Sequence, residues 1–484
     1  MPRNLTLMTD LYELTMAQGY WRQGKADTQA CFYAFFRENP FGGGYAVLCG
    51  LDQAVRLARD FTVTQDDVDY LAGLPAPGGG ALFDAAFLDW LASTPLSVDM
   101  DAPEEGSVVF PREPLVRVTG SLLQCQLLEP AILNGVNFQT LIATKASRIC
   151  RAAGGRPVSE FGLRRAQGPD GAMSASRAAF VGGCANVANV LAGKEYGIPV
   201  SGTHAHSWVM AFDDELEAFR AYVQAFPNNA VLLVDTYDVE RGVRNAIAVA
   251  REMRERGEKL LAVRIDSGDL AWLSKKARAM LDEAGFPEVG IVLSNDLDEY
   301  TISSLNEQGA SYTALGVGTH LSCAFGQPAL GGVYKLAAIR EPGGAWRPRM
   351  KVSENTWKVT IPGVLDTRRY YHDDGSFAGD LIFDTCAPVP PAPVAVNPLD
   401  ETSRKRFSRG LESEDLLRPL VRDGRPVPGR DLSASAAQSR CKEQLGKLDD
   451  SIQRFMNPHS YPAGIESGLY ERRTQMIMRL RGLD

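Results

Sequence analysis

Between residues 127 and 336 the chain repeats one pattern: a short apolar run, a polar residue, then a longer stretch in which apolar positions recur every three or four residues. The runs are Val231-Leu232-Leu233-Val234-Asp235, Leu261-Ala262-Val263-Arg264-Ile265-Asp266, Ile291-Val292-Leu293-Ser294-Asn295 and Ala314-Leu315-Gly316-Val317-Gly318. Residues 239–256 and 270–284 carry the helical period. Strands alternating with helices predict a parallel sheet, open or closed into a barrel. In either form ligands sit beyond the carboxyl ends of the strands. Asp235, Arg264, Asp266, Asn295 and Gly318 fall there.

The flanks read differently. Residues 10–19 look helical, and 30–36 look like a strand stopped by Asn39-Pro40-Phe41-Gly42-Gly43-Gly44. Residues 113–120 alternate as an antiparallel strand does. In the last third, Gly343-Gly344 and the proline-rich 387–398 read as loops or linkers. Helical patterns return at 414–420 and 435–454.

A length of 484 residues implies two or three domains. The net charge of −8 argues against a nucleic-acid or membrane-surface partner, so any basic site is local. Eight cysteines without CxxC pairs fit a reducing cytosol and no zinc site. The first residues lack a secretory apolar segment, and no apolar run reaches the about 20 residues that span a bilayer. These features predict a cytoplasmic enzyme.

Four segments carry candidate chemistry. Glu160-Phe161-Gly162-Leu163-Arg164-Arg165-Ala166-Gln167-Gly168-Pro169-Asp170-Gly171 sets an aromatic ring beside two guanidinium forks, which suits a ligand both aromatic and anionic. Arg264-Ile265-Asp266-Ser267-Gly268-Asp269 joins a strand end to a helix start. Asp266 and Asp269 can accept ribose hydroxyls or hold Mg²⁺, and Ser267 and Gly268 offer backbone N–H groups to an anion. Helix capping explains Ser267 and one of the aspartates but not the arginine. Gly316-Val317-Gly318-Thr319 is a glycine loop after a strand, able to approach phosphate or simply a tight turn. Gly202-Thr203-His204-Ala205-His206-Ser207 holds two of the five histidines. It suggests one chemical histidine near Asp235, whose carboxylate would hold the ring tautomer. A buried structural histidine is the ordinary alternative at either position.

With Thr9-Asp10-Leu11-Tyr12-Glu13-Leu14-Thr15-Met16, these motifs resemble nicotinate phosphoribosyltransferases in order and spacing, over nearly the whole chain. The resemblance implies an irregular α/β barrel, residues 126–345, packed against an α+β domain built from residues 1–125 and 346–484. It implies ATP-coupled synthesis of nicotinate mononucleotide from nicotinate and phosphoribosyl pyrophosphate (PRPP), with Mg²⁺, in a homodimer. Phe161 and Tyr12 from the partner chain would sandwich the pyridine ring. Arg264 would meet the carboxylate, Arg164 the phosphates and Asp266 the ribose. Ser267, Gly268 and Asp269 would complete the substrate site. Asn295, Gly316, Gly318 and Thr319 would surround the 5′-phosphate. His206 aligns with a phosphorylated histidine oriented by Asp235; His204 and His320 receive no role. The nicotinamide-using relatives carry an aspartate where this chain has Lys194, so the acid substrate is favoured. A phosphate-binding barrel isomerase or aldolase would need a catalytic lysine or paired carboxylates, and would not need Tyr12.

Overall fold

The computed structural model describes residues 4–483. The chain divides into two compact units: one spans Ile142–Pro328, and the other combines the chain up to Leu141 with the chain from Ala329 onward. Residues 126–141 and 329–345, which the sequence pattern groups with the central domain, thus belong to the discontinuous unit.

The central unit is built on six parallel strands: β1 (Val158–Glu160), β2 (Asn186–Val187), β3 (Val231–Leu233), β4 (Ala262–Ile265), β5 (Gly290–Ser294) and β6 (Ala314–Val317). Their order is β2-β1-β6-β5-β4-β3. Every neighbouring pair is parallel, with Val263 opposite Ile291 and Leu232, and Leu315 opposite both Leu293 and Val158. The strands are short and apolar because helices cover them. Helix Val239–Glu255 buries Val243, Ala246, Ile247, Ala250 and Met253 at helical spacing. Its N-cap Asp238 accepts a hydrogen bond from the Arg241 N–H at 2.8 Å. Asp269 and Asp298 start helices Leu270–Glu283 and Glu299–Glu307 in the same way.

The hydrogen-bonded sheet is open, where a closed barrel was one expectation: β3 is one end, and at the other β2 bonds onward through Val187 to residues 199–201. On β3, the Leu233 N–H is taken by His204 Nε2 at 3.1 Å, a side chain standing where another strand's carbonyl would be. His204 is 7% exposed and packs edge-on against Tyr222. Its Nδ1 lies 3.3 Å from the Ala205 carbonyl, so the neutral ring donates from Nδ1 and accepts at Nε2.

Below the sheet Glu299 is fully buried between Lys145 Nζ at 2.7 Å and Arg148 Nε at 2.8 Å. This cluster ties helix Glu129–Ala152 to the start of helix Glu299–Glu307.

The discontinuous unit interleaves the two chain ends. Its seven-stranded sheet runs Arg347–Pro348, Val333–Arg340, Gln29–Phe35, Val116–Ser121, Asp99–Ala102, Arg418–Arg422, Arg425–Pro426. A six-stranded sheet holds Leu365–Tyr371, Phe377–Asp384 and Ala463–Glu466. Tyr33, Phe35 and Ala337 from the first sheet pack with Leu365, Ile382 and Ile465 from the second. Residues 414–420, read as helical, instead form strands Ser413–Asp415 and Arg418–Arg422. Pro419 has no N–H for a helix interior, and both strands find edge partners. The proline-rich stretch 387–398 ends in strand Val394–Asn397, and the late helix is Ala434–Lys447, shorter than its pattern.

Burial holds the His204 pKa below its ordinary 6.5, because a charged ring would lose its acceptor and its solvation. The unfolded chain therefore protonates first as pH falls. The stabilisation is complete above about 6.5 and is lost as pH drops through the depressed folded value. His204→Phe should cost about 1–3 kcal/mol at neutral pH by orphaning the Leu233 N–H. It should also flatten the acid limb of a plot of urea midpoint against pH. An equally steep limb in the variant would refute this role.

Candidate functional site

The expected strand ends do converge. Arg264, on β4, is 15% exposed in its side chain and reaches three acceptors. Its Nε donates to Ser294 Oγ at 2.8 Å, one terminal nitrogen to Thr203 Oγ1 at 3.0 Å and the other to Asp266 Oδ1 at 2.9 Å. Ser294 at the end of β5 also donates to Asp266 Oδ1. The guanidinium carbon lies 5.5 Å from the centre of the Phe161 ring.

Phe161 is held from three sides. Its N–H donates to the Val317 carbonyl at 2.7 Å, continuing the β1–β6 ladder. The next N–H, of Gly162, donates to the buried Glu160 carboxylate, whose other oxygen accepts from Ser176 Oγ at 3.0 Å. Burial pushes the Glu160 pKa up, while those two donors oppose the shift. The ring lies over Gly316, where a Cβ would sit 2.5 Å from Phe161 Cε2. At Gly162 a Cβ would meet Ser322 Oγ at 2.3 Å. Both glycines are therefore conditions for the ring's position.

Asp235, past the end of β3, is almost wholly buried. Its Oδ2 accepts from the Asp266 N–H at 2.9 Å and from Ser267 Oγ at 2.6 Å. Its Oδ1 has no hydrogen-bond partner among the described residues. His206 Nε2 stands 4.0 Å from that oxygen and 4.0 Å from Asp266 Oδ2. The expected direct bond from Asp235 to His206 is thus a near approach. The ring's hydrogen bond is instead between Nδ1 and Thr236 Oγ1, at 3.2 Å. His206 is 40% exposed, so its ring is open to a ligand, whereas His204 is locked in the sheet edge.

The remaining candidates sit around this centre or apart from it. Gly268 has φ +78, a left-handed turn that lets Asp269 cap the next helix by accepting from the Trp272 N–H at 2.9 Å. Asn295, exposed just after β5, has φ +99, a strained conformation of the kind found at ligand sites. Gly318 and Thr319 open the short helix Thr319–Ser322 after β6. Arg164 is exposed in the 3₁₀ turn Leu163–Arg165, and Lys194 is exposed in helix Val190–Tyr196. Tyr12 belongs to the discontinuous unit, on helix Leu11–Arg22, and is 49% exposed. Burial and the neighbouring Glu13 push its phenol pKa up. His320 stacks on Phe325 with ring centres 4.3 Å apart, a packing role. Thr203, Ser294 and Glu160 stood inside quoted segments without a role of their own, and Thr236 was not named. Their only signal was position, since each lies at a strand end or beside a named motif.

Three family models tile the chain: nicotinate phosphoribosyltransferase N-terminal domain over residues 7–137, the nicotinate phosphoribosyltransferase family over 157–342, and its C-terminal domain over 366–473. The chain belongs to the nicotinate phosphoribosyltransferase family. It is 39% identical to the nicotinate phosphoribosyltransferase of Bacillus subtilis, over 99% of this chain and 96% of that protein. The Caenorhabditis elegans enzyme is 35% identical over 96% of this chain and 92% of its own length. The crystal structure of human nicotinic acid phosphoribosyltransferase superposes with a TM-score of 0.84 at 33% identity, covering 97% of this chain and 99% of that one. In this family member the matched central segment contains the whole Phe161–Arg264–Asp266–His206 cluster.

Gly316→Ala should drive the Phe161 ring off the sheet. Calorimetric titration with pyridine-3-carboxylate should then show at least about a tenfold weaker affinity, the size of a lost aromatic contact. Unchanged affinity would mean that the ring does not meet the ligand.

Proposed function

We propose that the chain couples nicotinate to PRPP, releasing pyrophosphate and forming nicotinate mononucleotide, and so brings nicotinate into NAD synthesis. The observation that carries the reading is Arg264 at the face of the Phe161 ring. An aromatic platform with a fixed cation beside it matches a flat ring that bears a carboxylate. Full-length relatives named for this activity support the same reading.

Nicotinate needs no general base, because its ring nitrogen is already a nucleophile. Phe161, with Tyr12 from a partner subunit, holds that nitrogen against the ribose C1, so positioning supplies much of the rate. As pyrophosphate leaves, an oxocarbenium-like carbon forms, and Arg164 meets the departing charge. Asp266 accepts the ribose hydroxyls. Asn295, Gly316, Gly318 and Thr319 surround the 5′-phosphate, with Ser267, Gly268 and Asp269 at the helix start beside it. Lys194 adds positive field that favours the acid over the amide.

ATP acts through His206, the exposed ring between two carboxylates, which places the enzyme in the ligase class. A phosphate there would face Asp235 and Asp266, a repulsion that calls for a cation. Asp235 Oδ1, unpartnered among the described residues, and Asp266 Oδ2, 4.0 Å from His206 Nε2, suit Mg²⁺, whose bound role is to neutralise phosphate charge. We read the open six-stranded sheet as an irregular barrel of the phosphoribosyltransferase kind, in a cytoplasmic homodimer with shared sites. No helix among the described residues is long and apolar enough to cross a membrane.

Incubation with PRPP, Mg²⁺ and either nicotinate or nicotinamide, with and without ATP, tests the whole reading. Nicotinate should win by about ten- to hundredfold in kcat/KM, the penalty for a mismatched group in a desolvated site. A preference for nicotinamide would overturn it. His206→Ala should abolish acid-labile phosphate incorporation from ATP yet leave some ATP-independent transfer; full labelling of that variant would move the modification elsewhere. Tyr12→Ala and Phe161→Ala subunits, each nearly inactive, should recover activity when mixed, because one hybrid site then has both rings. No recovery despite proven subunit exchange would place the site within one chain.

A further inference from the structure

The discontinuous unit carries a second cavity, of about 280 Å³, that the transferase reading does not use. It opens on one face of the seven-stranded sheet. Strand pairing sets Gln29 opposite Arg340, and Thr119 opposite both Cys31 and Asp99, so these side chains share that face. Cys31, Ala338 and Val364, with Trp346 packed against them, make an apolar patch there. Val364 and Trp346 line the cavity itself.

The rim is built and polar at both ends. At one end the Arg340 guanidinium lies 4.5 Å from the centre of the Trp346 ring, and among the described residues it has no ion-pair partner. Its sequence neighbour Glu341 is taken by Arg347 and Lys25. At the other end the Asp423-Gly424 turn is pinned to the sheet. The Asp423 N–H donates to Asp99 Oδ1 at 2.9 Å, and the Gly424 N–H to the Val98 carbonyl at 2.9 Å. A Cβ on Gly424 would strike the Leu96 carbonyl at 2.1 Å, so the turn's close approach to the sheet requires glycine there. The Asp423 carboxylate, the Gln29 amide and the Thr119 hydroxyl have no partner among the described residues. Arg117, also in the lining, is already bound to Asp101 and to the Leu365 carbonyl.

We propose that this cavity binds a free amino acid, with the α-carboxylate on Arg340, the basic nitrogen on Asp99 and Asp423, and the side chain or methylene body along Trp346 and Val364. The lining has two arginines and two aspartates, so its charge balances, but the open Arg340 cation and the open Asp423 carboxylate lie at opposite ends. That arrangement suits a dipolar ligand of small net charge. It disfavours a nucleotide or phosphate, which would meet the aspartates, and a bare metal ion, which would meet the arginines. Asp99 stands three strand spacings from Arg340, about 14 Å between backbones, and Asp423 follows the next strand, a gap that the Arg340 side chain and a ligand carrying its nitrogen on a methylene chain can together cross.

The test uses the full-length protein and the twenty L-amino acids, by thermal shift and then calorimetry. At least one should bind more tightly than about 1 mM. Its α-amide and its N-acetyl derivative should each bind at least tenfold more weakly. In Arg340→Gln the acid should fall to the affinity of its amide, and in Asp423→Asn the free amine should fall to that of the acetylated form. Both residues lie on the rim, so both variants should keep the wild-type melting temperature without ligand and the wild-type nucleotide-forming rate. That unchanged rate separates failure here from failure of the transferase reading. No binding by any amino acid, binding unaffected by both variants, or tighter binding of AMP or inorganic phosphate in the same cavity would overturn the proposal.

Discussion

The candidate site depends on one guanidinium. Arg264 leaves β4 and bonds to groups on three different segments: Thr203 in the loop before His204, Ser294 at the end of β5, and Asp266 just past its own strand. Three bonds in a planar fork leave the group little freedom, and a lysine would satisfy only a point of that geometry. From Asp266 the order passes onward: its backbone N–H holds Asp235, and Asp235 holds Ser267. Both carboxylates then face His206 Nε2. The site is thus organised before any ligand arrives, the condition under which fixed charges act most strongly on a reaction.

Much of this was legible along the chain, for a physical reason. A parallel strand covered on both faces must be apolar until it ends, so the first polar residue after each run marks the ligand edge of the sheet. Asp235 and Asp266 were found that way, and Asn295 and Gly318 as the last residues of their runs. Helix N-caps were legible too, because short side chains with an oxygen are strongly preferred there, and Asp269 proved to be one. Hydroxyl partners were not. Thr203, Thr236 and Ser294 are common residues whose roles come from distance in space. The sequence pointed to Asp235 as the orienting partner of His206, but a threonine one residue along is nearer the ring nitrogen.

The fold was less legible where distant segments pair. Strand Gln29–Phe35 lies between Val333–Arg340 and Val116–Ser121, so its neighbours come from both sides of the central unit. No local pattern encodes such a partner. The same holds for Arg369 and Asp380, a fully buried ion pair with N···O 2.6 Å. Each is an unremarkable charge in sequence, and burial of either alone would be costly. The misread segment 414–420 shows the converse: its apolar spacing allowed a helix, and the available sheet edge decided otherwise.

The imidazole of His204 has one more effect, on encounters between molecules. An open sheet ends in a row of backbone donors that any extended peptide can complete, and β3 is such an end. His204 occupies the Leu233 donor without offering a continuing strand of its own. It caps the edge as a bulge or a proline would elsewhere, and leaves the chain free there to turn into the loop that carries His206. The same ring therefore closes the Leu233 donor to strand addition, two residues before helix His206–Met210 begins.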